Sequence, residues 1–419
     1  MKVLFVPHYI YLHAESFCRV ISHLNVMGCT AVMVVSSDSY GIERSEYSKE
    51  QLRTRGCRVR ELNLPWLGWT GLGTLARLRQ TPSLLNCRER IRRLLWQERP
   101  DVVVVGSDLG RFHIRVLLDE CDRQRIAVLI LTTTSVGYGP TDNGKASRRG
   151  VRWPVRLLLR LLDLQRPALF DGSVIGTFAH RAKIAVPGEM CKARLQEQGI
   201  EEERVFVTGD PGYDRLFEIR NEPENGLRSA ILARLRWPEE SKLVMYCTEV
   251  IHEVYGYEYL EKINIALSAA FDSLPAEYRV VVKLHPRETD DTRRSFARNF
   301  SGSRYYTIED GEVLPYLRSV ELCVGHFSQV LMEAVLVGTP VVAINIQRDV
   351  RRSLFAEAAP LATVKDDTEL KTRIFDILQS AETRRQVQQQ LAAWVKRQCY
   401  ALDGKNAARV ASLIVNLST

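Results

Sequence analysis

The chain has no Cys-x-x-Cys pair, no Asp-x-Asp, no Walker loop, no Gly-x-Gly-x-x-Gly and no Gly-x-Ser-x-Gly. These gaps argue against a structural zinc, a carboxylate-bound manganese, and the NTPase, dinucleotide dehydrogenase and α/β-hydrolase chemistries that such motifs serve. Its nine cysteines are scattered and odd in number, the usage of a reduced, intracellular chain. No uncharged apolar run approaches the roughly 20 residues that span a bilayer, and Met1 to Pro7 is too short for a signal peptide. The expected location is cytoplasmic, with any membrane contact peripheral, on the inner membrane. Only 25 Gly and 16 Pro in 419 residues rule out fibrous repeats, and 45% hydrophobic with 26% charged residues rules out disorder.

What is present is an alternation of short β-branched runs with longer amphipathic stretches, the pattern of parallel sheets covered by helices. The first half offers strands at Val3 to Val6, Ala31 to Val35, Val59 to Leu62, Val102 to Val105, Ala127 to Leu131, Ser173 to Ile175 and Val205 to Val207. The second half repeats the rhythm at Leu243 to Tyr246, Val280 to Lys283, Arg304 to Thr307, Leu322 to Val324, Val341 to Asn345 and Leu361 to Val364. Two α/β domains follow: residues 1–215 and 241–385, joined by a polar, turn-rich hinge over 216–240. Helices over 386–419 are placed to return across the cleft.

The formal charge of +8 favours anionic partners. Much of it lies in one segment, where Arg149, Arg152, Arg156 and Arg160 share a helical stripe opposite a leucine-rich face beside Trp153. A basic, tryptophan-bearing amphipathic helix suits an anionic membrane interface, and 145–166 equally fits a helix seated on the sheet with arginines solvated or gripping an anionic acceptor. With no aromatic platform beside it, the stripe does not suit nucleic acid.

Val280-Val-Val-Lys283-Leu-His285-Pro286-Arg287 reads as a buried strand delivering His285 to its carboxyl end, where α/β folds bind ligands. Lys283 and Arg287 flank it, and the group could hold a phosphate; a strand-end His satisfied by backbone fits the same spacing. Leu322 to Val342 reads as strand, turn at Gly325, helix and strand, with Ser328 as helix cap and amides near Gln329 facing outward. Glu333 lies a turn and a half along that helix, where it suits a ribose or plain solvent.

The combination Lys283-Leu-His-Pro286, Gly325-His326-Phe-Ser328, Glu333-Ala334 and Gly338-Thr-Pro-Val-Val342 resembles the carboxyl-terminal domain of GT-B-fold enzymes. It is similar, more narrowly, to the His-Pro bacterial capsule and lipopolysaccharide transferases of sialyltransferase, Kdo-transferase and CDP-glycerol transferase type, whose scaffold the UDP-GlcNAc 2-epimerases share. Val207-Thr-Gly-Asp-Pro-Gly-Tyr-Asp214 resembles the junction segment of that group. The resemblance implies an α/β GT-B fold, two Rossmann-like domains with parallel sheets facing a cleft. It also implies nucleotide contacts from Lys283, His285, Pro286, Arg287, Gly325, His326, Ser328, Gln329 and Glu333. Two departures stand out. The epimerase His-Glu-Ala-Gly-Leu-Arg stretch is replaced by Leu131-Thr-Thr-Thr-Ser-Val-Gly-Tyr138, and Glu309-Asp310-Gly311 follows the His-Pro motif where sialyltransferase-like enzymes put an acidic pair ahead of it.

A transferase needs a base on its first domain. His13 and Glu15, after the first strand, and Asp108, after Val102 to Val105, are the candidates; helix capping by His13 and Glu15 fits as well. The resulting expectation is a metal-independent glycosyltransferase of bacterial surface polysaccharide synthesis. It would use a CMP-, CDP- or UDP-linked sugar as substrate rather than cofactor, and a lipid-linked or growing glycan as acceptor. The alternatives are a UDP-N-acetylhexosamine 2-epimerase-like isomerase or hydrolase, and a non-catalytic polysaccharide-assembly subunit.

Overall fold

The computed structural model describes residues 1–7, 10–36, 52–53, 56–64, 79, 81–109, 112–132, 153–170, 172, 174–223, 226–309, 313–348, 355 and 358–418. The chain divides into two compact units, Met1–Asp214 with Gln398–Thr419, and Arg215–Arg397.

The first unit holds strands β1 (Lys2–Val6), β2 (Thr30–Ser36), β3 (Val59–Leu62), β4 (Val102–Val105), β5 (Ala127–Leu131), β6 (Lys183–Val186) and β7 (Val205–Val207). They form one parallel sheet in the order β3-β2-β1-β4-β5-β6-β7. Its helices are α1 (Ile10–Val26), α2 (Thr81–Glu98), α3 (Phe112–Gln124), α4 (Trp153–Leu161), α5 (Gln165–Leu169) and α6 (Glu189–Glu197). Because side chains alternate along a strand, the valine runs feed two cores at once. Leu4, Val6, Val103 and Val105 meet Ile91, Leu95 and Leu117 of α2 and α3 on one face, while Val3, Phe5, Val102 and Val104 meet Phe17 and Ile21 of α1 on the other.

Helices α7 (Tyr213–Asn221) and α8 (Leu227–Leu235) occupy most of the stretch read from sequence as a hinge. The second unit continues with β8 (Lys242–Cys247), α9 (His252–Tyr255), α10 (Tyr257–Asp272), β9 (Tyr278–Lys283), α11 (Asp290–Asn299), β10 (Tyr305–Ile308) and α12 (Leu314–Ser319). Then come β11 (Leu322–Gly325), α13 (Gln329–Val337), β12 (Val341–Ile344), β13 (Thr363–Val364), α14 (Asp367–Gln379) and α15 (Ala381–Gln398). Its parallel sheet runs β10-β9-β8-β11-β12-β13. Both sheets reverse their winding once, between β1 and β4 and between β8 and β11, and a crevice for ligand opens at such a switch point beyond the carboxyl ends of the strands.

The last helix, α16 (Asn406–Asn416), belongs to the first unit, where Ala407, Val410, Ala411 and Ile414 join the core beside α1. Its start is fastened by Asp214, whose carboxylate accepts the amides of Asn406 at 3.0 Å and Ala407 at 2.8 Å. Asp210 of the same segment accepts the Ser16 hydroxyl of α1 at 2.9 Å. The Thr208 to Asp214 stretch is thus the clamp between the first and last helices of this unit.

One expected strand is displaced. Residues 174–182 form turns, and the strand beside β5 is Lys183–Val186 rather than Ser173 to Ile175. The cause is Asp108, whose buried carboxylate accepts the amides of Gly176, Phe178 and Ala179 at 3.0–3.1 Å and draws the chain into a turn before it can extend.

Candidate functional site

In the second unit, Cys247 at the end of β8 stands opposite Lys283 of β9 on one side and Gly325 of β11 on the other, so three strand ends finish level at the switch point. Strand spacing puts the β9 and β11 ends about 10 Å apart with β8 between them. The segment after β8 supplies the fastening. The Thr248 hydroxyl donates to Glu288 Oε1 at 2.9 Å and accepts the His285 amide at 2.9 Å, tying β8 to the His-Pro turn. Burial pushes the Glu288 carboxyl up from its ordinary range.

His285 is half-buried, and its Nδ1 accepts the Arg287 amide at 3.1 Å. That bond assigns the imidazole proton to Nε2, leaving a donor on the far side of the ring. Arg287 pairs with Glu253 of α9, whose carboxyl is held low first by the Arg287 side chain, with smaller contributions from His252 and His285. His252 therefore lies in the same charged cluster. Its ring faces Tyr257 at 4.9 Å, and Nδ1 is buried with no hydrogen-bond partner among the described residues. No motif in the sequence marks His252. The usable signal was its place five residues past β8, a strand that borders the switch point.

Across β8, Ser328 caps α13 by accepting the Val330 amide at 3.3 Å, and Gln329 is exposed at the helix start, the end where the dipole favours anions. Glu333 is half-buried on that helix. Gly325 is required for space rather than for a turn: it ends a strand, and a Cβ there would sit 3.0 Å from the Cys247 carbonyl. His326, expected to touch nucleotide, is buried instead. Its Nε2 meets the Tyr259 hydroxyl at 3.3 Å, and desolvation pulls it down to about 3, so it is a neutral packing residue. Lys283 is a tie as well, its Nζ donating to the Leu284 and Glu309 carbonyls at 3.0 and 2.9 Å. Pro286 is exposed at the crown of the turn, and Asp310-Gly311 lies outside the described residues.

The three catalytic candidates of the first unit take other parts. Asp108 is wholly buried, and its oxygens accept the amides of Gly176, Phe178 and Ala179, which gives it a structural role. His13 is 4% exposed, stacked on Phe17 at 5.2 Å, and pulled down to about 4 by burial. Its ring lies against Gly106 of the β4 end, where a Cβ would come 2.2 Å from Nε2. Glu15 pairs with Arg19 at 2.7 Å, and two residues along a helix from His13 it points away from that ring and cannot orient it. Of the basic stripe, Arg156 and Arg160 are exposed on α4, while Arg149 and Arg152 lie outside the described residues. Among the described residues no group of histidine, cysteine and carboxylate side chains could hold a metal ion, and no helix is long and apolar enough to cross a membrane.

The model of the UDP-N-acetylglucosamine 2-epimerase family matches residues 174–415, more than half of the chain. The chain belongs to that family. The match includes the whole second sheet with His252, His285 and Ser328. Among solved structures, this family member is similar to the Neisseria meningitidis UDP-GlcNAc 2-epimerase bound to UDP-GlcNAc, with 16% identity over 99% of this chain and 100% of that one and a TM-score of 0.66. It is also similar to a Rickettsia africae glycosyltransferase, 11% identical over 99% and 98% of the two chains, TM-score 0.61. The wall teichoic acid polymerase TagF, 12% identical over 100% of this chain and 88% of that one, scores 0.59. At these identities the likeness establishes the fold, the α/β GT-B-like architecture of epimerases and glycosyltransferases. No curated protein matches. The family match corrects the emphasis on His-Pro transferases: the epimerase side of the resemblance carries further.

Proposed function

We propose that this family member breaks the bond between sugar and diphosphate in a UDP-linked N-acetylhexosamine, as a 2-epimerase or hydrolase. The observation that carries the reading is the family match over 174–415, which contains every element of the His252, His285 and Ser328 edge. Inverting a sugar at C2 requires losing the C2 proton, and losing it is easiest when the diphosphate leaves from adjacent C1. The edge suits both demands. The Nε2–H of His285 and the amides at the start of α13 would bind the departing diphosphate. Arg287 adds positive charge, and the His252 imidazole, beside the same Glu253, is a candidate for proton transfer.

The relatives support the ligand class: the Neisseria structure is of an epimerase with UDP-GlcNAc, and one from Methanocaldococcus jannaschii holds UDP-GlcNAc and UDP. A second reading, transfer of the sugar to a glycan, is favoured by one observation. Leu131 to Tyr138 lacks the carboxylate stretch that the epimerases carry. Incubation with UDP-GlcNAc in D2O, with no acceptor, separates the two. Epimerase or hydrolase action gives deuterium at C2 together with UDP-ManNAc, or UDP and free sugar. Unchanged UDP-GlcNAc that is consumed only when a glycan acceptor is added establishes transfer instead.

A further inference from the structure

Helix α4, Trp-Pro-Val-Arg-Leu-Leu-Leu-Arg-Leu, is apolar on two opposite sides. Its inner side is accounted for: Val155 and Leu159 are buried in the core beneath α2 and α3. Its C-terminal end is fixed there by Arg88, which donates to the Leu162 carbonyl at 3.0 Å and the Asp163 carbonyl at 3.3 Å. Among the described residues, none covers the outer side. Trp153, Leu157 and Leu161, spaced four residues apart, are 73%, 42% and 75% exposed. At 100° per residue they form one stripe about 10–12 Å long. A helix apolar on both sides belongs at a boundary with a second apolar medium.

The charge around the stripe identifies that medium. Arg156 and Arg160 flank it on the outer side and make no ion pair among the described residues. Segment 145–166 contains seven basic residues and one acid, so it carries +6 of the chain's +8. That single acid, Asp163, is already neutralised by Arg88 and Arg123. An apolar stripe bearing an exposed Trp, bordered by exposed arginines, matches an anionic bilayer, with the indole and leucines at the acyl boundary and the guanidinium groups among phosphates. A protein partner would equally cover leucines but gives no reason for so one-sided a charge.

We propose that α4 is a monotopic docking helix that lays Trp153, Leu157 and Leu161 into the surface of an anionic phospholipid bilayer, with Arg156 and Arg160 on the headgroup phosphates. The inference stands apart from the nucleotide-sugar reading and goes beyond it.

The test is flotation of the full chain with vesicles of phosphatidylcholine alone and of phosphatidylcholine with 30% phosphatidylglycerol. The expected result is binding to the anionic vesicles only, weakened at least tenfold by 0.5 M NaCl, by Leu157→Ser with Leu161→Ser, and by Arg156→Gln with Arg160→Gln. Each variant is checked for an unchanged melting temperature. Should the leucine variant unfold, the arginine pair, which touches no core, decides the matter alone. No binding at low salt overturns the proposal, as does binding that both folded variants retain. A dimer in sedimentation velocity that Trp153→Ser dissociates also overturns it, because the stripe would then cover a second copy of the chain.

Discussion

Replacing Gly106 with alanine places a methyl group where His13 now is. The new Cβ would lie 2.2 Å from Nε2, 2.5 Å from Cε1 and 2.8 Å from Cδ2, and none of these is a flexible chain end. The ring is held by its stack on Phe17, at 5.2 Å and 19° between planes, and by near-complete burial. Relief therefore requires moving α1 or β4. Overpacking of this kind costs about 1–3 kcal/mol. In a unit of this size, with roughly 2–4 °C lost per kcal/mol, the melting temperature should fall by about 2–12 °C. Thermal unfolding of Gly106→Ala, His13→Ala and the double variant makes the argument specific. With the imidazole gone the methyl has room, so the second substitution should cost little in that background, a coupling of about 1–3 kcal/mol. A Gly106→Ala protein as stable as wild type, or equal costs in both backgrounds, refutes the account of this strand end.

Asp214→Ala leaves the first two amides of α16 uncapped at a loss of about 1–2 kcal/mol, and hydrogen exchange over 406–416 should speed up about tenfold while the second unit is unaffected. Thr248→Val keeps the side-chain shape but strands the His285 amide and Glu288, costing about 1–3 kcal/mol and lowering kcat more than it raises KM; an unchanged kcat would show that the tie does not position His285. Because burial pulls His326 from 6.5 down to about 3, the unfolded chain holds its proton more readily between those values. The stability it contributes is therefore complete above pH 6.5 and is lost as pH falls toward 3. Urea midpoints of wild type should drop over this window by more than those of His326→Gln, at about 1.4 kcal/mol per pH unit, and parallel curves would contradict the neutral buried ring.

The strands were legible because buried parallel strands are nearly uniform valine runs, as at Val102–Val105, and a run of that kind has few other uses. The turn at 174–182 was not, since β-branched Val174 and Ile175 suit a strand locally and distant groups, the Asp108 carboxylate and the Arg204 guanidinium, override them. Residue type placed His285 and Ser328 at strand and helix ends, because Pro286 stops a strand and Ser caps a helix wherever the rest of the chain goes. Partners more than thirty residues away decided the rest. Whether His13, His326 or Asp108 opens to a crevice or lies in the core depends on Gly106, Tyr259 and the 176–179 amides, and no local pattern carries that information. His252 was overlooked for the same reason: its membership of the site follows from Arg287, on the neighbouring strand's turn, sharing Glu253 with it.

The central claim is that the level ends of β8, β9 and β11 hold a nucleoside diphosphate. Thermal unfolding with UDP at rising concentration tests it most directly on wild type and on His285→Ala. The account predicts a midpoint that climbs with UDP, equivalent to about 2.7 kcal/mol at a hundredfold excess over Kd, and a response at least tenfold weaker in the variant. A midpoint indifferent to UDP, or one that climbs equally in both proteins, would contradict it.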